Sequence, residues 1–314
     1  MKKLKIIFAG TEYFSAEHLN ALISSSHDVI SVITQPDSSS GRGQKITFSP
    51  VKKLSINNKI SILQPLNLND KNFQDKLLKL NADIMIVVSY GKIIPKKILT
   101  MFPKGCINVH PSLLPRWRGA TPIQSSILHG DKKTGISIIN MNDKIDSGTI
   151  IHSIICNISS NDTTQSLSLK LIKIGIQALL EVLEKIISNT IIKKKQNEKN
   201  VILSKKICKK DGLLNWNLAA ERLERLIRAF NPWPVCYFLL ENKTIKVWQS
   251  KVIPIVRSHF SAGEIISSNK DGIQINTSYQ ILNIEKLQLP GKKIMDVKNI
   301  IISKKNLFKI GTII

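Results

Sequence analysis

Short apolar runs separated by amphipathic stretches constrain the first half of this chain more than any other feature. The runs lie at Lys5–Gly10, Val29–Thr34, Ile84–Ser89, Cys106–His110 and Ile136–Met141. Continuous apolar strands with helices or long loops between them are typical of a mostly parallel sheet with helices on both faces. We therefore predict an α/β fold with a doubly wound parallel sheet, in which a ligand binds at the carboxyl ends of the strands.

The sequence pattern changes after a helix that apolar spacing predicts over 167–187. The stretch 191–208 that follows is polar and rich in lysine, and beyond it come one amphipathic helix and several short strand-like segments, among them Gly272–Asn276. We predict a first domain over 1–190, a linker over 191–208 and a small antiparallel barrel over 209–314.

The net charge is informative mainly through its distribution. The 314 residues include 46 Lys and Arg against 22 Asp and Glu, a formal net charge of +24, and their hydrophobic content of 42% excludes an acidic disordered chain. A Lys-rich composition explains that total as well as a nucleic-acid partner does. Residues 1–190 carry a net +10 and the shorter part 191–314 carries +14. A basic second part is suited to recruiting a phosphate polymer by counterion release.

The cysteines and the apolar runs indicate the cellular setting. The four cysteines form no C-x-x-C pair and have no histidine at zinc-finger spacing, so we expect reduced thiols and no metal. No apolar run approaches the roughly 18 residues that a membrane span needs, and the start leads into only a short apolar segment. We expect a cytoplasmic protein that does not bind a membrane.

Two polar side chains stand on the predicted strand 106–110. Because side chains alternate along a strand, Asn108 and His110 point to the same face. An amide can donate to a developing oxyanion, and an imidazole can donate or accept a proton near neutral pH. Asp146, in the loop after the strand 136–141, is suited to orienting His110. The chain has no G-x-S-x-G motif, so in an acyl transfer the nucleophile would belong to the substrate.

Each of these three side chains, taken singly, is more often a hydrogen-bonded structural group than a catalyst. An Asp followed by Ser-Gly, for example, is common in turns. Their joint arrangement favours a catalytic site, but the spacing alone leaves the function open.

Several motifs resemble a known family. N-x-H at Asn108, S-L-L-P-x-x-R-G from Ser112, P-I at Pro122 and D-x-G at Asp146 are similar to the signature of the folate-dependent formyltransferases. Further similar stretches cover nearly the whole chain, at Phe8–Thr11, Gln35–Asp37, Gly41–Gly43, Tyr90-Gly91, Ile227–Pro234 and Pro290–Lys293. The full set is similar to the branch of that family that acts on methionyl-tRNA, since other members generally lack a second domain of this form.

This resemblance implies a Rossmann-like formyltransferase domain followed by a small OB-like β-barrel that binds tRNA. It implies that a formyl group moves from the co-substrate 10-formyltetrahydrofolate to the α-amine of methionyl initiator tRNA, as a step in translation initiation. The matching motif positions imply that Asn108, His110 and Asp146 are the catalytic group. A monomer is expected, with no metal.

The resemblance also implies two binding segments. The residues that line the folate site are Ser112, Leu113, Leu114 and Pro115. The loop 35–51 is implied to approach the acceptor end of the tRNA, with Arg42 as its main contact. Relatives usually carry several basic residues there, whereas this loop is rich in serine, so its RNA contacts would depend on Arg42 and Lys45.

Two other functions remain open at this point. One is a folate-dependent formyltransferase or hydrolase that acts on a small molecule, and the other is a non-enzymatic RNA-binding protein on the same scaffold. A dinucleotide-dependent dehydrogenase is disfavoured, because the first strand ends at Gly10 without G-x-G-x-x-G.

Overall fold

The computed structural model describes residues 3–40, 45–257, 259–303 and 307–314. The chain forms two compact units. Unit 1 runs to Pro122 and also includes Lys133–Asn157 and Ser168–Ser204, and unit 2 comprises Ile123–Lys132, Ile158–Leu167 and the chain from Lys205 onward. Unit 1 thus takes in most of the predicted linker, and the predicted domain boundaries at 190 and 208 stay a prediction.

The helices and strands alternate as expected for an α/β chain up to Ser204. In chain order they are β1 (Lys5–Gly10), α1 (Tyr13–Ile23), β2 (Asp28–Ile33), β3 (Ser38–Ser40), β4 (Lys45–Thr47), α2 (Pro50–Asn57), β5 (Ser61–Leu63), α3 (Lys71–Lys79), β6 (Ile84–Val88), α4 (Lys96–Leu99), β7 (Cys106–His110), β8 (Arg116–Gly119), α5 (Pro122–Leu128), β9 (Lys133–Asn140), β10 (Thr149–Asn157), α6 (Thr164–Ile187) and β11 (Ile202–Ser204).

Strands predominate after Ser204. These elements are α7 (Ala220–Ala229), β12 (Cys236–Leu240), β13 (Lys243–Ile253), β14 (Ile265–Asn269), β15 (Gly272–Asn276), β16 (Ile281–Gln288), β17 (Met295–Asp296) and α8 (Val297–Ser303).

Unit 1 is built on a seven-stranded sheet in the order β10-β9-β7-β6-β1-β2-β5. The pairs β5-β2, β2-β1, β1-β6 and β6-β7 are parallel, which confirms the predicted doubly wound core. Strands β1 and β6 are central because their side chains are apolar on both faces, and Ile6, Phe8 and Ile84 have no exposed surface. Burying a side chain of this size contributes about 1.5–3 kcal/mol.

The edge of the sheet formed by β9 and β10 is antiparallel. Strand β9 runs antiparallel to β7, with Asn140 opposite Ile107 and Ser137 opposite His110, and β10 runs antiparallel to β9. Because β9 is reversed, its last residue lies beside the start of β7. The loop that follows β9 therefore has to fold back along β7 in order to reach the side chain of His110.

Unit 2 contains the separate antiparallel sheet domain that the sequence predicts. Its sheet has the order β12-β13-β16-β15-β14, with β17 added to β16, and the strand predicted at Gly272–Asn276 has those bounds. The pairing register of β13 shifts between Val247 and Ser250, and such irregularities bend a long strand.

Two expectations concern the chain as a whole. None of the helices in the described ranges is long and apolar enough to cross a membrane. All four cysteines are free, and burial raises the pKa of the Cys106 thiol to about 12, which suits an inert core residue.

Candidate active site

Strand β7 brings the first two predicted catalytic residues to one face of the sheet. It lies between β6 and β9, so its backbone is hydrogen-bonded on both edges and its side-chain directions are fixed. Asn108 is half-buried, while His110 is only 4% exposed. The alternation argument thus places an amide and an imidazole side by side on a rigid element.

The carboxylate of Asp146 joins both of these side chains. The Asn108 Nδ2 group donates a hydrogen bond to Asp146 Oδ1 at 3.1 Å, and His110 Nδ1 lies 3.5 Å from Asp146 Oδ2. The backbone N–H of Gly119 donates to the same Oδ2 at 2.8 Å. The structure therefore brings together the three residues that the sequence marked, around one carboxylate.

Hydrogen bonding fixes the proton arrangement on His110. Its Nε2 atom lies 3.0 Å from the carbonyl oxygen of Trp117, and since a carbonyl only accepts, Nε2 carries a proton. In the neutral ring the lone pair is then on Nδ1, which faces Asp146. A proton that arrives at Nδ1 is held between an imidazole and a carboxylate, an arrangement suited to receiving a proton during a reaction.

The loop that carries Asp146 has a constrained backbone. Asp146 has a φ of +47°, in the left-handed region that non-glycine residues avoid. Two positions later Gly148 is buried, and a Cβ there would lie 1.9 Å from the carbonyl oxygen of Asn140. The D-x-G motif therefore has a packing reason, because only glycine allows the loop to approach the end of β9 this closely.

Strand β8 supplies the other orienting groups from equally unusual backbone. Trp117 is buried with a φ of +64°, and Gly119 has a φ of +113°. The Arg116 guanidinium lies 4.3 Å from the centre of the Trp117 ring, which helps to hold that residue in place. Strained non-glycine backbone is maintained only where its surroundings over-determine it, and it clusters at functional sites.

The predicted folate-binding segment joins β7 to β8 as a tightly bonded loop. Ser112 is buried, and its Oγ donates to the carbonyl oxygen of Arg116 at 2.6 Å, so this hydroxyl closes the loop. The backbone N–H of Leu114 donates to Ser137 Oγ at 3.0 Å. Leu113 and Pro115 are half-buried, whereas Leu114 is buried.

The structure describes the two predicted tRNA contacts only in part. Arg42 lies outside the described residues. Lys45 begins β4, which pairs with β3 in a two-stranded ribbon, and only its backbone belongs to the described part of the structure. Their assignment to RNA binding stays a prediction.

Three further residues support the site: Gln196 and Glu198, which lie in none of the motifs, and Arg118, which is the arginine of the S-L-L-P-x-x-R-G motif. The Gln196 side chain donates to the carbonyl oxygens of Asp146 and Gly148 at 2.7 and 2.8 Å. Its Oε1 accepts from Arg118 Nε at 3.0 Å, and the same guanidinium forms a bidentate ion pair with Glu198. One sequence signal was available, since Glu198 is the single acidic residue in the basic stretch 191–208.

Unit 2 contains a cavity of about 370 Å³. Its two arginines are paired with its two glutamates, since Arg228 bonds to Glu224 and Arg225 to Glu221. None of the predicted site residues lines it, so the polar cluster on β7 is the better candidate for the reaction.

The fold and the cluster together define a class, an α/β protein with a polar site on the strands of a doubly wound sheet. Comparison with known proteins is more specific. The family model described as formyl transferase matches residues 2–183, and the one described as formyl transferase, C-terminal domain, matches residues 206–305. The chain belongs to the formyl transferase family.

Individual relatives agree with this assignment. A methionyl-tRNA formyltransferase of Buchnera aphidicola subsp. Acyrthosiphon pisum (strain Tuc7) is 82% identical over the full length of both chains. The protein of that name from Buchnera aphidicola subsp. Schizaphis graminum is 65% identical, again over both full lengths. Among solved structures, an N-formyltransferase from Helicobacter canadensis in complex with folinic acid and dTDP-3-aminofucose aligns with a TM-score of 0.67 at 20% identity, covering 90% of this chain and 99% of that one. At that identity the likeness concerns the fold.

Proposed function

We propose that this chain transfers a formyl group from 10-formyltetrahydrofolate to the α-amine of methionyl initiator tRNA. The observation that carries this proposal is the 82% identity to a methionyl-tRNA formyltransferase over the full length of both chains. The similarity includes the basic second part of the chain, where a small-molecule enzyme would need no RNA-binding surface. We propose a cytoplasmic monomer as its working form.

The chemistry that the site has to supply follows from the reaction. A free α-amine has a pKa of about 8, so a useful fraction of the nucleophile is neutral near pH 7. As the amine nitrogen bonds to the formyl carbon, negative charge develops on the formyl oxygen, and the nitrogen becomes positively charged and has to lose one of its own protons. When the bond from that carbon to the folate nitrogen breaks, the folate nitrogen takes up a proton. A donor for the oxygen and a carrier for the proton are therefore needed.

The donor for the oxygen and the carrier for the proton correspond to separate residues of the cluster around Asp146. Asn108 uses one N–H of its amide on Asp146, and within the described ranges the other N–H has no partner, so it is free to donate to the formyl oxygen. His110 and Asp146 hold a site between Nδ1 and Oδ2 for the proton from the amine. Because Nε2 faces the Trp117 carbonyl and Nδ1 faces Asp146, His110 serves the proton and Asn108 serves the oxygen.

The segment from Ser112 to Pro115 is the proposed folate contact. Its own hydrogen bonds make it rigid, and the half-buried side chains of Leu113 and Pro115 give an apolar surface that suits a flat ring system. Bound there, the folate supplies the formyl group, and the residues of the chain supply position and charge. We propose Arg42 and Lys45 as contacts to the tRNA, which would give affinity in place of catalysis.

The direct assay uses purified protein, 10-formyltetrahydrofolate and methionyl initiator tRNA, with methionyl elongator tRNA as the matched comparison. We expect formyl transfer to the initiator, and much less to the elongator. Transfer to a free small amine but to neither tRNA would favour a small-molecule enzyme. Tight tRNA binding without turnover would favour a non-enzymatic RNA-binding protein. Either result would contradict the proposal.

The assignment of roles predicts different kinetics for two variants. Asn108→Ala removes a donor to the developing oxyanion, so kcat on saturating tRNA should fall about a hundredfold or more. Arg42→Ala should mainly raise KM for tRNA. Steady-state kinetics at fixed saturating folate measures both. Near-normal kcat in Asn108→Ala would show that the reacting group binds elsewhere.

A further inference from the structure

The stretch predicted as a linker contacts the groups that orient His110. His110 is held on one side by the Trp117 carbonyl at Nε2 and on the other by the Asp146 carboxylate at Nδ1. The 194–204 segment belongs to unit 1. It is hydrogen-bonded to the backbone of the Asp146 turn on one side and to the backbone of β8 on the other. It begins with the antiparallel bridge between Lys194 and Ile150, whose two hydrogen bonds are both 2.8 Å long.

Gln196 acts on the Asp146 side. Its amide nitrogen donates to the carbonyl oxygens of Asp146 and Gly148, at either end of the turn that carries the carboxylate. Its amide oxygen accepts from Arg118, whose guanidinium is in turn fixed by two hydrogen bonds to Glu198. All the polar groups of Gln196 are thus used to hold one turn at a defined distance from β8.

Strand β11 acts on the Trp117 side. It pairs in parallel with β8, and Ser204 Oγ donates to the Arg118 carbonyl oxygen at 3.1 Å while accepting from the Thr121 N–H at 3.1 Å. Strand β8 carries both the Trp117 carbonyl that binds His110 Nε2 and the Gly119 N–H that binds Asp146 Oδ2. Holding β8 therefore fixes a second pair of contacts to the imidazole and its carboxylate.

The backbone conformation explains why such support is needed. Asp146 and Trp117 both have positive φ, a conformation that costs on the order of 1–3 kcal/mol for a non-glycine residue. Asp146 also ends a loop whose outer residues, from Asn142 to Ile145, are exposed. Without Gln196, the carbonyl oxygens of Asp146 and Gly148 would lose the hydrogen bonds that they receive from outside the loop.

We propose that Gln196 is a positioning residue for the formyl-transfer reaction, and that the 194–204 segment forms an outer layer of the active site. Gln196 acts through Asp146, fixing its carboxylate against His110 Nδ1 and Asn108 Nδ2. This inference rests on the proposed function for its kinetic consequence, though the arrangement of His110 and Asp146 can be measured without any substrate.

The kinetic test compares Gln196→Met with Gln177→Met. Methionine keeps the length of the side chain and removes every side-chain hydrogen bond. Gln177 is an exposed residue of α6, and its side chain bonds to Glu181 alone among the described residues. Displacing a catalytic group slightly costs about tenfold to a hundredfold in rate. We expect a kcat loss of that size in Gln196→Met, with KM for tRNA changed less than threefold and a displaced profile of kcat against pH. Gln177→Met should match the wild type.

A substrate-free measurement separates this inference from the proposed function. The chain has six histidines, so the ring nitrogens of His110 can be assigned in ¹⁵N spectra with a His110→Gln variant. We expect Gln196→Met to change the His110 nitrogen shifts while the shifts of the other histidines and the melting temperature stay close to wild type. Unchanged His110 shifts with unchanged kcat would overturn the inference. A lower kcat that only follows a loss of folded protein, with the pH profile and shifts preserved, would also overturn it. If the wild type failed to formylate tRNA while the shifts moved, the proposed function would be wrong and the positioning would stand.

Discussion

His18 is a residue whose protonation should limit the stability of the chain in acid. It lies on α1 with no exposed surface, and its Nδ1 is 2.8 Å from the Phe14 carbonyl oxygen. Its Nε2 has no partner among the described residues, and a Cβ added at Gly175 would lie 2.5 Å from it. Burial lowers the pKa of His18 from 6.5 to about 4. The folded state therefore requires the neutral ring.

The sign of the pH effect follows from this lowered pKa. The stabilisation is complete above pH 6.5, and it is lost as the pH falls toward 4, because the unfolded chain binds the proton first. We predict a loss of up to about 3 kcal/mol over that range. Melting temperatures from pH 7 to pH 4.5 should fall less steeply for His18→Gln than for the wild type, while an exposed control, His129→Gln, should follow the wild type. Parallel curves for all three proteins would contradict this account.

Residue patterns in the sequence predicted part of the candidate site, for identifiable reasons. Strand alternation was enough to place Asn108 and His110 on one face, because it needs only the local backbone. The contacts of Asp146 with Gly119, and of Gln196 with the Asp146 turn, depend on how distant segments fold back, which no local pattern encodes. The sequence did not mark Gln196 for that reason, and it stands between exposed Lys195 and exposed Asn197.

Among the elements, β8 depends on a glycine for its approach to β11. Gly119 has a φ of +113°, and a Cβ there would lie 2.9 Å from Ser204 Oγ and 3.0 Å from the Ser204 carbonyl oxygen. Gly119→Ala should therefore push β8 and β11 apart and displace the N–H that binds Asp146. We expect a lower melting temperature and a kcat reduced about tenfold or more.

The control for this prediction is Gly311→Ala. Gly311 also has a positive φ, of +85°, but a Cβ there would meet nothing within 4 Å. Alanine at 311 should cost on the order of 1 kcal/mol in backbone strain and leave kcat unchanged. Equal effects of the two substitutions on kcat would show that the β8-β11 contact has no part in the reaction. Thermal unfolding and steady-state kinetics on both variants decide this.

Element prediction succeeded where burial is continuous and failed where it is not. Strands β1, β7 and β15 have the predicted bounds, because each is a run of mostly apolar residues with glycine at or beside one end. Strand β10 was missed because it lies at the sheet edge with alternate residues exposed, and β8 and β11 were missed because strands of four and three residues leave no periodic signal. The reversed direction of β9 is set by its partner, which apolar content does not reveal.

For the whole molecule, the net charge of +24 becomes a prediction about salt. Lys193, Lys194 and Lys195 are exposed next to Gln196, and we propose that they contact tRNA phosphates. Each phosphate contact adds about 0.7–0.9 to the slope of log affinity against log salt. Replacing all three with serine should lower that slope by about 2 and raise KM, with kcat nearly unchanged.

A matched set for the salt experiment is available on α3. Lys71, Lys76 and Lys79 are also exposed, so their triple serine variant removes the same charge from a helix of unit 1. Filter binding of methionyl initiator tRNA between 50 and 200 mM salt would measure both. Identical slopes for the two triple variants would mean that only total charge matters, and that the Lys193 to Lys195 cluster has no special position.

We propose that Asp146 organises Asn108, His110 and Gly119 into a formyl-transfer site. The most direct measurement is kcat for formyl transfer to saturating methionyl initiator tRNA in Asp146→Asn, with Asp143→Asn, an exposed acid of the same loop, as the control. Asparagine keeps the shape but removes the charge that faces His110, so we predict a fall of about a thousandfold or more, with Asp143→Asn within about twofold of wild type. An Asp146→Asn enzyme with near-normal kcat would contradict the account.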